Sequence, residues 1–412
     1  MSSSTALPEL ISLGCRLNLA ESETIRTLIG SGDVVVVNSC AVTNEAVRQT
    51  RQAIRRARRA RPQAQLVVTG CAAQIDPDSF GAMPEVDRVI GNAEKLLPAA
   101  WDAEDATMVQ DIMAVRQTAP HLAASFSAHA RAFVEVQNGC DHRCTFCAIP
   151  FGRGNSRSVP AGAVVERIAA LVEAGHREIV LTGVDLTSYG PDLPGNPSLG
   201  MLVERVLAHT RVERLRLSSL DGIEIDDRLF ALLTQEARVM PHVHLSFQAG
   251  DDMVLKRMKR RHSRAQSVAL VERLKAARAE IAIGADLIAG FPTEDESMFA
   301  NTAALIDDCD IVHAHIFPYS PRDGTPAARM PQVGPGVAKA RAAVLRERAA
   351  ARRAVWLRGM IGTVQHVLVE RPGDRGHAGN FAEVDVPLHQ VGTIAKVRIT
   401  GLQDGRLIGE TA

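Results

Sequence analysis

No run in the chain is apolar and long enough to span a bilayer, so a membrane-embedded protein is not expected. Charge of one sign is not in excess: 47 basic residues face 47 acidic ones. Any nucleic-acid binding must therefore come from local patches rather than from overall charge. The opening residues, Met1 to Thr5, show no basic region followed by an apolar core, and no signal peptide is expected. Cysteine is scarce, at seven in 412 residues. In such a chain free cysteines point to a reducing compartment and to metal rather than disulfides, and a cytoplasmic location follows. No nucleophile–base constellation is evident. What remains, 46% hydrophobic and 23% charged residues, is ordinary for a globular protein of two or three domains.

Three of the seven cysteines crowd into Cys140-Asp141-His142-Arg143-Cys144-Thr145-Phe146-Cys147. A C-x₃-C-x₂-C loop can wrap three corners of a cubane iron–sulfur cluster and leave the fourth iron without a protein ligand. An open coordination position implies chemistry. The alternative is a zinc knuckle with His142 as fourth ligand. Against it, His142 lies between the cysteines and no second C-x-x-C follows.

The first 125 residues alternate strand-like and helical patterns. Leu10–Cys15, Val34–Cys40 and Leu66–Cys71 are short apolar runs, each ending in a cysteine. Strands separated by helices imply a parallel sheet, whose ligands sit beyond the carboxyl ends of the strands. Cys15, Cys40 and Cys71 are therefore expected on one sheet edge, as ligands of a second cluster. Three buried structural cysteines are the alternative. Between the second and third runs, a helix over Asn44–Arg61 carries Arg48, Arg51, Arg55, Arg58 and Arg59 on one face. Like charges at that spacing repel, and RNA phosphates would relieve them, although a merely solvated face is the alternative. Residues 103–129 read as a linker.

Residues 126–357 hold six strand-like runs, near Ala132–Gln137, Glu178–Thr182, Glu213–Ser218, Val243–Phe247, Gly284–Ala289 and Ile311–Phe317, separated by helical segments. Six β/α units suggest a TIM-like barrel open on one side, with its site at the carboxyl ends of the strands. Cys140 follows the first strand almost at once. Gly183, Asp185, Ser218 and Gln248 sit at other strand ends and, with Phe146, are candidate cofactor-binding residues. His313 and His315 share a strand face and read as satisfied interior histidines; Cys309 reads as a small buried hydrophobe. Two more basic runs, Lys256–Arg264, with Lys259, Arg260 and Arg261, and Arg346–Arg358, add to the case for a polyanionic partner. Residues 358–412 read as a small antiparallel β-barrel with strands near Gly362–Glu370, Phe381–Val386, Thr393–Thr400 and Leu407–Gly409. Phe381 is the one aromatic within those strands, so backbone recognition of RNA is expected there rather than base stacking.

The cysteine loop with Phe146 before its last cysteine is similar to the radical S-adenosylmethionine signature. With Gly14-Cys15, Asn38-Ser39-Cys40 and Gly70-Cys71 ahead of it, the chain resembles the methylthiotransferases, and its C-terminal barrel resembles their TRAM domain. Arg131–Cys140, Leu181–Asp185, His244–Asp252 and Phe317–Ala327 are closest to the MtaB branch. The resemblance implies a 4Fe–4S cluster on Cys140, Cys144 and Cys147 that chelates S-adenosylmethionine. It implies a second 4Fe–4S cluster on Cys15, Cys40 and Cys71 that carries or supplies sulfur. It also implies a tRNA anticodon stem-loop as substrate, with N6-threonylcarbamoyladenosine methylthiolated, and a low-potential electron donor such as a flavodoxin or ferredoxin. The alternatives it leaves are N6-isopentenyladenosine in tRNA or a ribosomal protein as substrate, or a non-catalytic RNA-binding protein stapled by clusters.

Overall fold

The computed structural model describes residues 7–116, 130–370 and 372–412. Residues 1–5, the 125/126 boundary and the 117–129 part of the expected linker fall outside the described residues.

The N-terminal sheet is parallel throughout, in the order β1 (Glu9–Ser12), β2 (Val34–Ser39), β3 (Gln65–Gly70), β4 (Arg88–Ile90), β5 (Thr107–Met108). Helices α1 (Arg16–Ile29) and α2 (Asn44–Ala60) cover its two faces. Val35, Val37, Leu66 and Val68 pack with Ile54 and Ala57 of α2. Val36, Val67 and Ile90 pack with Ile25 of α1. Burial on both faces explains why β2 is a continuous valine run rather than an alternating one. The first expected strand is shorter than read: β1 ends at Ser12, and Cys15 is the N-cap of α1. β4 and β5, of three and two residues, are too short to show a pattern, and β5 occupies part of the expected linker. Short helices α3 (Cys71–Ile75), α4 (Pro77–Gly81) and α5 (Ala99–Asp102) fill the connections.

The core follows as β6 (Arg131–Asn138), α6 (Ile149–Arg153), β7 (Arg157–Ser158), α7 (Ala161–Glu173), β8 (Glu178–Gly183), α8 (Leu199–His209), β9 (Arg214–Leu217), β10 (Ser219–Leu220), α9 (Asp227–Gln235), β11 (His242–Gln248), α10 (Asp252–Met258), α11 (Arg264–Ala277), β12 (Ala282–Ala289), α12 (Glu296–Asp308), β13 (Ile311–Pro318) and α13 (Pro335–Arg358). The expected six-strand arc is present, but as two sheets, β7-β6-β8-β9 and β10-β11-β12-β13. Ser218 interrupts what would be one strand, and the arc switches sheets there. β7 is a short antiparallel addition to the edge of β6. Among the described residues no helix is long and apolar enough to cross a membrane.

The C-terminal barrel is closed, β14 (Val364–Val369), β15 (Arg375–His377), β16 (Glu383–Asp385), β18 (Arg406–Thr411) and β17 (Ile394–Gln403) in that order. It differs from an all-antiparallel barrel in one pair: β16 and β18 run parallel. β15 lies between the first two expected strands, in a glycine-containing stretch assigned to none of them. The barrel docks on the amino-terminal ends of the core strands. Arg131 bonds Glu370, Arg214 donates to the His366 carbonyl at 3.0 Å, and His313 lies 3.2 Å from the Asn380 carbonyl. Phe381 is the wedge of this contact. Its ring stacks on His377 at 4.5 Å, and the guanidiniums of Arg16, Arg131 and Arg216 lie 5.4, 5.1 and 4.8 Å from its centroid.

Beneath Phe381, the fully buried Glu178 meets Arg131 at 3.4 Å, Arg214 at 3.5 Å and Arg216 at 3.0 Å. Burial pushes its carboxyl up, but the three arginines outweigh burial and hold its pKa at about 2. Glu178→Gln should cost about 3–5 kcal/mol, seen as a lower unfolding midpoint, because it leaves buried guanidiniums without their counter-charge. The Glu178 contribution is complete above its usual value of 4.5 and is lost as pH falls towards 2. The gap in midpoint between wild type and variant should therefore close on acidification.

Candidate metal centre

The cysteine loop leaves β6 through Gly139, at φ +72°. A Cβ there would lie 1.9 Å from the Asn155 carbonyl oxygen, so both conformation and space require glycine. The loop is tied down on several sides. The Cys140 amide donates to the Gly154 carbonyl at 3.1 Å, the Thr145 amide to that of Met258 at 3.1 Å, and the Ala327 amide to that of Thr145 at 2.9 Å. Arg143 donates to the Cys140 carbonyl at 2.7 Å and to Asn155 at 2.8 Å.

Of the candidate cofactor residues, Phe146 packs edge-to-face on Phe291, centroids 6.3 Å apart. Asp185 lies 3.6 Å from the Cys140 sulfur and 2.9 Å from His142 Nε2. Burial opposes its charge, but the His142 hydrogen bond outweighs burial and keeps it below the usual carboxylate range. Its amide donates to Gln137 Oε1 at 2.8 Å, and a Cβ on Gly183 would press on Gln137 at 3.0 Å. Ser218 has a buried hydroxyl with no hydrogen-bond partner, and Gln248 turns at φ +66°.

The second triad stands where the parallel sheet predicts, past the ends of β1, β2 and β3. Gly14 lets Cys40 close on the backbone: a Cβ there would sit 2.6 Å from the Cys40 sulfur. Ser39 Oγ accepts from the amides of Ala72 and Ala73, at 3.1 and 3.2 Å, and so seats the turn that begins at Cys71. Cys15 is accessible, yet enough protein surrounds it for burial to raise its thiol pKa. Burial pushes Cys40 up to about 11 and Cys147 up to about 12, and raises Cys140 as well, with the Asp185 charge as its second cause.

The two triads adjoin. Helix α6 begins two residues after Cys147, and a Cβ on its Gly152 would lie 3.0 Å from Cys71 Cβ. Cys71 is also among the groups that raise the Cys147 thiol. The next residue, Arg153, reaches helix α1 of the N-terminal domain. It donates to Glu21 at 2.7 and 3.0 Å and to Asn18 at 2.6 Å, while Lys95 donates to Glu21 at 2.6 Å.

The donor set fits sulfur-rich clusters. All six thiols are free. Four thiolates on one zinc ion would stand about 3.8 Å apart. Among the described residues, three ligating atoms come within 4.8 Å of one another at His142/Asp185/Glu224 and His244/Asp286/His315, and neither cysteine triad is drawn that tight. The zinc-knuckle alternative also lacks its fourth ligand, because His142 turns to Asp185 and to Glu224, 3.7 Å away.

Most arginines of the basic patches have partners within the protein. On α2, Arg48 pairs with Glu45 at 2.5 Å, Arg55 with Glu85 at 3.8 Å and Arg58 with Asp87 at 2.5 Å, while Arg51 bonds Ser79 at 2.9 Å and covers the Phe80 ring. The repulsion is relieved within the domain, mostly by acids from outside the helix; Arg59 alone of the five has no partner among the described residues. Arg260 and Arg261 point into the site. Arg260 meets Asp221 at 2.9 Å and the Cys144 sulfur at 3.7 Å, and Arg261 meets Glu224 at 2.6 Å and His142 at 2.9 Å. Lys259, the left-handed cap of α10, is exposed. Glu21, Lys95, Arg153 and Gln137 went unnoticed in the sequence. Asn18, Glu21, Ser22 and Thr24 are polar yet share the buried face of α1, so no apolar stripe marks Glu21 as inward-facing.

Residues 134–306 match the Radical SAM superfamily and residues 9–91 the uncharacterized protein family UPF0004. The chain is 48% identical over 403 residues to threonylcarbamoyladenosine tRNA methylthiotransferase MtaB of Rickettsia prowazekii, covering 96% of each. It is 31% identical to the tRNA-2-methylthio-N(6)-dimethylallyladenosine synthase of Maricaulis maris, covering 96% of this chain and 95% of that one. Its fold is similar to that of the radical S-adenosylmethionine methyltransferase TsrM of Kitasatospora setae, solved with cobalamin and a [4Fe-4S] cluster (TM-score 0.54, 17% identity, 76% of this chain and 69% of that one).

Gly139→Ala should destabilise metal-free protein by about 1–3 kcal/mol and raise the labelling rate of the loop thiols. Gly162→Ala on α7, where a Cβ meets nothing within 4 Å, should leave both readouts unchanged or slightly improve stability. Equal effects of the two would count against a strained, tied-down loop.

Proposed function

The chain belongs to the radical S-adenosylmethionine tRNA methylthiotransferases, and on that premise we propose that it converts N6-threonylcarbamoyladenosine beside the tRNA anticodon to its 2-methylthio derivative. Support comes from one juxtaposition: α6, leading out of the cysteine loop, packs its Gly152 on Cys71 of the second triad. Two sulfur-rich sites that close can serve a single base. The higher identity to the threonylcarbamoyladenosine enzyme than to the dimethylallyladenosine one favours that substrate.

In this reading Cys140, Cys144 and Cys147 hold one 4Fe–4S cluster, and Cys15, Cys40 and Cys71 the other. With S-adenosylmethionine they supply the hydrogen abstraction, sulfur and methyl group that an unactivated adenine carbon demands. The protein's part is positioning. Gln137 locks the Asp185 turn to β6. Asp185, held ionised, offers its charge to the ammonium of S-adenosylmethionine, and the hydroxyl of Ser218 is free to accept or donate. Phe146, braced from behind by the buried Phe291, would offer the cofactor an apolar face. Arg153 places positive charge near the second triad, which offsets part of the burial penalty on the Cys15 thiolate. Residues 1–125 act as the sulfur-handling unit, 126–357 as the cofactor unit and 358–412 as the RNA-binding barrel. Arg59 and Lys259 are free for phosphates. A low-potential donor such as a flavodoxin or ferredoxin delivers the electron in a reducing cytoplasm.

Deletion of the gene should remove 2-methylthio-N6-threonylcarbamoyladenosine from tRNA hydrolysates, measured by mass spectrometry. Reduced, reconstituted protein should release 5′-deoxyadenosine, and Cys144→Ala protein none. An unchanged nucleoside level overturns the substrate assignment. Wild type that makes no 5′-deoxyadenosine leaves only the cluster-stapled RNA-binding alternative.

A further inference from the structure

Apart from the thiols, three side chains converge inside the core barrel. His244 on β11, Asp286 on β12 and His315 on β13 lie on three adjacent parallel strands. Asp286 pairs directly with His315 across the sheet, and His244 pairs with Gly284. Gly284 makes the convergence possible: a Cβ there would lie 2.4 Å from His244 Nδ1. The His244 imidazole therefore lies over β12 and brings its Nε2 to 3.1 Å from Asp286 Oδ1, while His315 Nδ1 reaches the same oxygen at 3.2 Å. The two rings are 4.5 Å apart, and all three ligating atoms fall within 4.8 Å of one another.

Hydrogen bonding does not account for the whole arrangement. His244 is buried, and its Nε2 has no hydrogen-bond partner although Asp286 Oδ1 is 3.1 Å away, because the nitrogen is not directed at that oxygen. Asp286, for its part, has no lysine or arginine partner among the described residues; its ion-pair partners are the two imidazoles. A buried nitrogen without a hydrogen-bond partner and a carboxylate bonded only by the exposed His315 imidazole thus lie in one cluster of three ligating atoms. Donors about 2.1 Å from one ion stand about 3.0–3.4 Å apart at octahedral or tetrahedral angles, which matches both nitrogen–oxygen distances. Two imidazoles and a carboxylate suit a divalent first-row transition ion rather than the iron–sulfur chemistry of the thiol triads.

We propose that His244, Asp286 and His315 form a mononuclear binding site for a divalent transition-metal ion in the barrel interior, separate from both cysteine triads. The His315 side chain is 59% exposed, so the ion has a path in, and the coordination positions left by three protein ligands are open to an exogenous oxygen donor.

The test uses anaerobically purified protein with its clusters in place. Metal analysis and titration with Zn²⁺ and Co²⁺ should find one further ion per chain, the difference spectrum on Co²⁺ addition showing d–d bands and no added sulfur-to-metal charge transfer. His315→Ala and Asp286→Asn should each weaken this binding about tenfold or more, with iron, sulfide and thermal midpoint unchanged. Because His315 is exposed, its variant is a safe one for folding. If wild type takes up no ion beyond its cluster iron, if the Co²⁺ spectrum is that of a thiolate site, or if His315→Ala binds as wild type does, the proposal is overturned.

Discussion

The arrangement depends on a buried ion cluster at the seam between the N-terminal sheet and the core. Glu21 of α1, Lys95 and Arg153 of α6 are all essentially without solvent exposure. Such a cluster adds little net stability, because desolvating its charges costs about as much as their attraction returns. Its effect is geometric. Glu21 lies on the helix that Cys15 begins, and Arg153 six residues after Cys147. One carboxylate gripping both cations holds the Cys15, Cys40 and Cys71 edge against the Cys140 to Cys147 loop. Displacing either element would strand a charge in the interior, so the relative position of the two triads is held more tightly than apolar packing would hold it.

The same device recurs at the other end of the core. Glu178 gathers Arg131, Arg214 and Arg216, and Phe381 of the C-terminal barrel lies over two of them, together with Arg16 of α1. Three parts of the chain therefore meet through arginines, one carboxylate and one aromatic ring. An aromatic residue that could have served as a stacking platform is spent on docking. The positive charge that could have met RNA is partly spent inside: Arg260 and Arg261 wall the cysteine loop, and Arg51, Arg55 and Arg58 brace α2 on its own domain. Charge runs show how much charge there is, not where the side chains turn.

The sequence by itself determined the β/α alternation, the six-strand arc, the small C-terminal barrel and both cysteine triads. Each is a local regularity: a valine run bounded by polar residues, a C-x₃-C-x₂-C spacing, a cysteine just past a strand. Local patterns survive in the sequence because strand period and turn chemistry are properties of neighbouring residues. Tertiary structure decided the rest. It split the arc at Ser218, paired β16 with β18 in parallel, turned Arg260 inward and set His244, Asp286 and His315 around one point. It also chose Glu21, from a buried helix face that is mostly polar, as the hinge of the seam. These outcomes rest on which side chains far apart in the chain share a low-dielectric space. No local spacing encodes that, because a buried charge is placed by partners 74 and 132 residues away.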